Sequence, residues 1–520
     1  MQLATLDIVI ICAYAVMIVT LAQWVSREKA GHTKDTKDYF LASKALPWWA
    51  IGASLIAANI SAEQIIGMSG SGYALGLAIA SYEWLAAITL IIVGKYFLPI
   101  FLRLRIYTMP QYLEKRYDHS VRLVMAVFWL GVYVFVNLTS ILWLGALAIN
   151  SIAGVDVVYG LALLVLLSIA YSLYGGLKAV ALTDIIQVVL LVAGGLVVTW
   201  LALDRVGGGA GPLAGFAELA AQAPDKFNMI LSPDNPHYHL LPGLSVILGG
   251  MWVMHFSYWG CNQYIIQRAL AAKSLREAQK GILFAASLKV IMPIFVVVPG
   301  IAAVVLAPDL TAPDQAYPEM MKLVPVGIKG LVFAALIAAI LSSLGSMMNS
   351  ISTIFTMDLY RHFRPETKEV SLVGIGRIVA VVAIVTAALI ARPLLSNFDQ
   401  AFQFIQEFTG FFTPGIVVLF VLGLFWSRAN AAGALAAAVG SAILSIALKL
   451  AWPALPFMDR VGLVFLACLG LAVVFSLLTR AETFEGAEDI KTIDFKTSSS
   501  FNMVALSIFL VLVGLYIIWW

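Results

Sequence analysis

The chain has 520 residues, 61% of them hydrophobic and 12% charged, with a formal net charge of +3 and a mean hydropathy of +0.94. Soluble globular chains are about 45–50% apolar and about 25% charged, so a water-soluble domain is excluded and an all-α integral membrane protein is expected, embedded in a lipid bilayer and without a nucleic-acid partner. Its three cysteines, Cys12, Cys261 and Cys468, all lie in apolar stretches, which argues against a disulfide framework and gives no metal-ligand spacing.

About 20 mainly apolar residues carry a helix across the hydrocarbon core, and about fourteen such stretches follow one another. The first, 6–24, lacks a basic leader and a small-residue cleavage site, so it reads as a retained span rather than a signal peptide. With the first cytoplasmic loop it makes up residues 1–46. Five spans near 47–75, 77–100, 122–151, 157–174 and 183–204 form a block over 47–204. An external loop rich in Gly, Pro and Ala covers 205–244. A second block of five, near 245–265, 277–306, 331–358, 371–391 and 398–425, fills 245–426. Three further helices, 430–451, 459–479 and 502–519, complete 427–520.

Loops after odd-numbered spans hold 24 of the 32 lysines and arginines, loops after even-numbered spans hold 7, and Lys289 lies inside a span. Basic loops stay in the cytoplasm, which puts both termini outside a plasma membrane crossed many times. No loop is long enough for a soluble catalytic or signalling domain, which argues against an enzyme or a sensor.

Charged groups at mid-membrane cost several kcal/mol and are functional or paired. Asp7 reads as a helix-start residue near the outer interface. Glu407 and Asp184 fit either helix packing or function. Glu83 and Lys289 sit inside apolar helices with opposite signs, and each would lower the cost of burying the other if they met. The second span, "SLIAANISAEQIIGMSGSGYALG", breaks its apolar run with Asn59, Ser61, Glu63, Gln64 and a Gly/Ser tract. Small residues alone would suit a kinked packing helix, but a carboxylate beside amides fits unwound backbone lining a wet cavity. Five spans later "MHFSYWGCNQYIIQRAL" repeats the feature around Gly260, with His255, Ser257, Tyr258, Asn262 and Gln263. Interrupted helices heading two five-span blocks are the signature of inverted-repeat transporters. On the ninth span Ser342 and Ser343 offer hydroxyls that, with freed carbonyls, suit a hard cation. Taken alone, such a pair is also a packing feature.

The stretches "LPWWAIGASLIAANISAEQ", "IGMSGSGY", "IASYEW", "ITLIIVGKYFLPIF", "VFVNLTS" and "NQYIIQR" resemble the sodium/solute symporter family, and within it its bacterial galactose-transporting members, from about Tyr39 to Trp426. The resemblance implies a LeuT-type 5+5 inverted-repeat core with one extra N-terminal and three extra C-terminal helices, no cofactor, and sodium as the coupling ion for a neutral monosaccharide. It implies sodium held by the carbonyls of Ala57, Ile60 and Ala339 and the hydroxyls of Ser342 and Ser343, with Asp184 nearby. Gly345, where two-sodium members carry a hydroxyl, implies one sodium per cycle. For the sugar it implies Asn59, Gln64, Glu83, Lys289 and Gln406, Tyr258 as a stacking inner gate, and Met68, Tyr82 and Phe402 as the outer cover. Ala86 and His255 stand where the galactose members carry serine and asparagine, in or beside the sugar pocket. A symporter of a non-sugar solute is the alternative on the same fold.

Overall fold

The computed structural model describes residues 3–25, 36–172, 176–395, 401–479 and 492–520; three basic residues expected in the first cytoplasmic loop, Arg27, Lys29 and Lys34, lie outside them. The described residues form helices and no strand, with one isolated bridge pairing Leu46 and Ala272. In chain order the main helices are α1 Thr5–Val25, α2 Trp48–Asn59, α3 Ser69–Leu75, α4 Ser81–Ile92, α5 His119–Val132, α6 Val157–Ser172, α7 Gly176–Val206, α8 Gly250–His255, α9 Gln263–Leu270, α10 Leu275–Leu306, α11 Ile328–Ile354, α12 Glu369–Leu395, α13 Ala401–Thr409, α14 Thr413–Phe425, α15 Ala431–Ala451, α16 Phe457–Leu478 and α17 Ser499–Ile518.

Among the described residues ten helical runs are long and apolar enough to cross a membrane. The difference from fourteen has physical causes. The second and seventh stretches are broken, α6 and α14 have only 16 and 13 residues, and the single run from Glu63 to Arg103 contains two stretches divided at Gly76.

Gly76 ends α3 with φ +76, and a Cβ there would lie 2.2 Å from the Lys226 carbonyl oxygen. The same external segment reaches back, the Lys226 ammonium donating to the Ala74 carbonyl at 2.7 Å. Gly76→Ala is therefore expected to destabilise the protein by about 1–3 kcal/mol, read as a lower thermal unfolding midpoint in detergent.

Close approach also sets the centre of the molecule. A Cβ on Gly52 would meet the Gly281 carbonyl at 2.7 Å, and one on Gly281 would meet Ile51 at 2.8 Å. Small residues thus let α2 lie directly on α10, and this contact carries Lys289 to the end of α2.

The loops sort onto two faces by contact. On one face Asp7 accepts from the Gly327 and Gly330 amides at 2.7 and 2.8 Å, and Met229 donates its amide to the Trp519 carbonyl at 2.7 Å. These segments are the termini and loops that follow even-numbered spans. On the other face Arg116 donates to the carbonyls of Gly423, Trp426 and Ala429 at 2.7–2.9 Å. A guanidinium there satisfies the end of α14, where helix carbonyls lack partners.

Candidate functional site

The helical ladder stops at Asn59 because Ile60 is extended, with φ −77 and ψ 97. Carbonyls in the last turn of α2 then lose the amides that a continuous helix would supply. Ser61 Oγ accepts from the Glu63 amide at 3.1 Å and starts the next turn. That turn, Glu63–Met68, is π-wound. The seventh stretch mirrors it: a π turn over Phe256–Cys261 runs into extended Asn262, with φ −86 and ψ 124. A third π turn, Tyr133–Leu138, supports this second break. The Tyr133 hydroxyl accepts from the Gln263 amide at 3.0 Å and donates to the Asn262 side-chain carbonyl. Wide turns of this kind mark functional positions in helices.

Between the breaks lies a cavity of about 100 Å³, room for several waters at about 10–15 Å³ each. Asn59, Gln64, Glu83, Tyr258, Lys289 and Gln406 line it, together with His255, Met68, Tyr82 and Phe402. The ten residues read from sequence as pocket or cover thus surround one space. Ala86 does not line it; it is buried one turn beyond Glu83.

Lys289 organises the polar wall. Its ammonium donates to Glu83 Oε2 at 2.5 Å and to the Asn59 side-chain carbonyl, and it lies 5.0 Å from the centroid of the Trp259 ring. Asn59 Nδ2 in turn donates to the Tyr258 hydroxyl at 3.0 Å, which also receives the Tyr264 hydroxyl. Glu83 and Lys289 are only 2% and 1% exposed. A pair so buried holds only while both charges remain and both are hydrogen-bonded.

The cavity is shut on one side. Tyr82 meets Phe402 edge to face at 5.3 Å and His255 at 6.3 Å, over fully buried Met68. On the other side it continues past Tyr133, Trp129 and Ile416, toward the face that carries Arg116.

The residues expected to hold the cation lie beside this cavity. Ser343 Oγ donates to the carbonyls of Ala58 and Ala57 at 3.1 and 3.4 Å. Ser342 Oγ and Ser54 Oγ donate to the two oxygens of Asp184. Ile60 sits at the break, and Ala339 lies one turn before Ser342 on α11; both are buried. Oxygens from two carbonyls and two hydroxyls, with a carboxylate behind them, are the chemistry that a hard cation takes, so the residues fit sodium. The Ala58 carbonyl, absent from the expected set, faces Ser343 more closely than Ala57.

Sequence reading missed three contributions. Tyr133 and Asn137 enter the cavity through the π turn in the fourth span, which a regular helical period does not reveal. Arg268 counts in the sequence with the cytoplasmic loop after the seventh span, yet it is fully buried on α9. Its guanidinium donates to Ser54 Oγ at 2.9 Å, to the Ser54 carbonyl at 3.1 Å, and to Tyr264 and Ser346. The polar breaker Asn262 and the run "QYIIQRAL" behind it were the available signal. Asp7 opens α1 as expected, on the face of the even-span loops, and there it is buried and accepts from the Gly327 and Gly330 amides. Glu407 takes the packing role, paired with Lys449 and Arg460 at 2.9 Å each.

A model of the sodium:solute symporter family matches residues 39–440. The chain is 50% identical to a sodium/glucose cotransporter of Vibrio parahaemolyticus, over 100% of this chain and 99% of that protein. It is 35% identical to sodium/glucose cotransporter 4 of Danio rerio, over 82% and 69% of the two chains. It is 33% identical to sodium/myo-inositol cotransporter 2 of Mus musculus, over 85% and 69%. Among solved structures, the substrate-bound, outward-open state of a sodium-coupled sialic acid symporter superposes with a TM-score of 0.81 at 24% identity, covering 92% of this chain and 99% of that one. That likeness establishes the LeuT-type helical fold expected from the sequence. With the family model spanning most of its length and a half-identical relative matching it end to end, the chain belongs to the sodium:solute symporter family, as a sodium-coupled, multi-pass membrane transporter and not an enzyme.

Proposed function

We propose that the protein imports a neutral hexose, galactose or glucose, together with one sodium ion by alternating access. The observation that carries this reading is the cavity at the paired breaks, where amide, carboxylate and ammonium groups stand beside an aromatic ring. Asn59, Gln64, Glu83, Lys289, Gln406 and His255 meet the sugar hydroxyls, and Tyr258 stacks on the pyranose from the inner side. Met68, Tyr82 and Phe402 close the outer side. Sodium is held by Ser342, Ser343 and the carbonyls of Ala57, Ile60 and Ala339, with Asp184 next to it. The membrane is crossed fourteen times, with both termini outside. Repeats over 47–204 and 245–426 rock about the breaks, flanked by 1–46, the external loop 205–244 and the helices of 427–520.

Sodium bridging α2 and α11 stabilises the outward-open arrangement and so pre-forms the sugar site. Inward movement of one charge at about −100 mV releases roughly 2.3 kcal/mol, to which the sodium gradient adds. The test is uptake of labelled galactose and glucose into sealed proteoliposomes with and without a sodium gradient. Gradient-dependent accumulation of either hexose is expected; accumulation of a non-sugar control but of neither hexose would overturn the assignment. A cyclic polyol is the second candidate, because one relative carries the name sodium/myo-inositol cotransporter, and myo-inositol belongs in the competitor panel.

Gln64→Ala and Gln406→Ala are each expected to weaken hexose binding by about tenfold, as loss of a buried hydrogen-bond partner costs about 1–3 kcal/mol. Sodium binding, read from its effect on thermal unfolding, should persist in both variants.

A further inference from the structure

Glu63 is left over from the hexose site. It lines the cavity and is partly buried there, and its enclosed Oε1 has no hydrogen-bond partner among the described residues. Its position at the start of a helical turn gives it no capping task, because Ser61 Oγ already accepts the Glu63 amide. Charge in the cavity is not balanced either. Lys289 is the only lysine or arginine among the described lining residues, and its ammonium is committed to Glu83 and Asn59. Two carboxylates therefore face one cation. Gln64 Oε1 and His255 Nε2, also in the wall, are likewise enclosed without partners among the described residues. A carboxylate with one oxygen enclosed and no counter-charge among the described residues is costly, and an incoming solute reaching it from the cavity can supply that charge.

We infer that Glu63 is a specificity-determining residue that selects, among hexoses, those bearing a protonated amino group. The ammonium of an amino-hexose is the missing partner for the Glu63 carboxylate, while the remaining hydroxyls use the same wall as a neutral hexose. A charge-assisted hydrogen bond is about twice as strong as a neutral one. This assignment rests on the hexose reading and deepens it.

The test is competition against sodium-driven galactose uptake in proteoliposomes at neutral pH, with glucose, glucosamine and N-acetylglucosamine as unlabelled competitors. Glucosamine should compete about tenfold better than glucose, and N-acetylglucosamine, which lacks the charge, should not share the advantage. In Glu63→Gln the glucosamine advantage should vanish, read as the ratio of glucosamine to glucose competition against the galactose uptake that variant retains; Glu63→Asp, which keeps the charge, should retain part of the advantage and guards against a folding defect. Glucosamine competing no better than glucose in the native protein overturns the assignment, as does an advantage unchanged in Glu63→Gln. If no hexose accumulates with sodium, the hexose reading itself has failed, which is a different result.

Discussion

Lys289→Met is expected to abolish sodium-driven hexose uptake and to destabilise the protein by about 3–5 kcal/mol, the cost of leaving one partner of a buried ion pair uncompensated. Both consequences follow from one position. Among the described residues the ammonium is the only positive group touching Glu83, at 2.5 Å, and it also fixes the Asn59 side-chain carbonyl. Without it Asn59 loses an acceptor contact at the end of α2, and through Asn59 Nδ2 the Tyr258 hydroxyl loses its orientation. A second substitution separates the two roles. Glu83→Gln combined with Lys289→Met removes the stranded carboxylate, so thermal stability should return toward that of the native protein. Uptake should not return, because neither the carboxylate nor the ammonium remains to meet the sugar. A double variant as unstable as Lys289→Met would mean that the pair does not set the stability of this wall. A double variant that transports normally would remove both residues from the sugar site.

That pair also illustrates what sequence can and cannot give. Two opposite charges in apolar helices separated by about two hundred residues have few reasons to persist unless they meet, and they do meet. The breaks at Ile60 and Asn262 were legible for the same reason: polar side chains crowded beside glycine are too costly in lipid-facing helix. The paired hydroxyls of Ser342 and Ser343 were legible only beside the first break. Arg268 was legible only through the breaker Asn262 before it, because a basic residue just beyond an apolar stretch otherwise looks the same whether it enters water or folds inward. The extended Asn262 starts a new buried helix there, α9, and so carries Arg268 into the core. The π turns left no trace. Inserting one residue per turn shifts which face Tyr133 and Asn137 present, while hydropathy stays unchanged.

Ser343→Ala is expected to reduce hexose uptake to the level seen without a sodium gradient. The hydroxyl lies within 3.1–3.4 Å of two carbonyl oxygens that the broken helix has freed, so its removal opens the ring of oxygens where α2 and α11 approach each other. Ser342 is placed to complement it. By donating to Asp184, its hydroxyl leaves its lone pairs for a cation and brings the carboxylate close without direct contact. Arg268 keeps the surrounding network in register by holding both Ser54 and Ser346. A binding measurement separates loss of the ion from loss of the fold. Saturating a site stabilises the native state in proportion to the logarithm of ligand over Kd, so a tenfold weaker site loses about 1.4 kcal/mol of that stabilisation. Ser343→Ala should therefore unfold at nearly the native temperature without sodium and gain much less when sodium is added. Gln406→Ala should gain as much from sodium as the native protein does, despite its weaker grip on sugar. If Ser343→Ala keeps both its sodium-induced stabilisation and its sodium-driven uptake, the ion is held elsewhere, and the coupling between the first break and α11 must be redrawn.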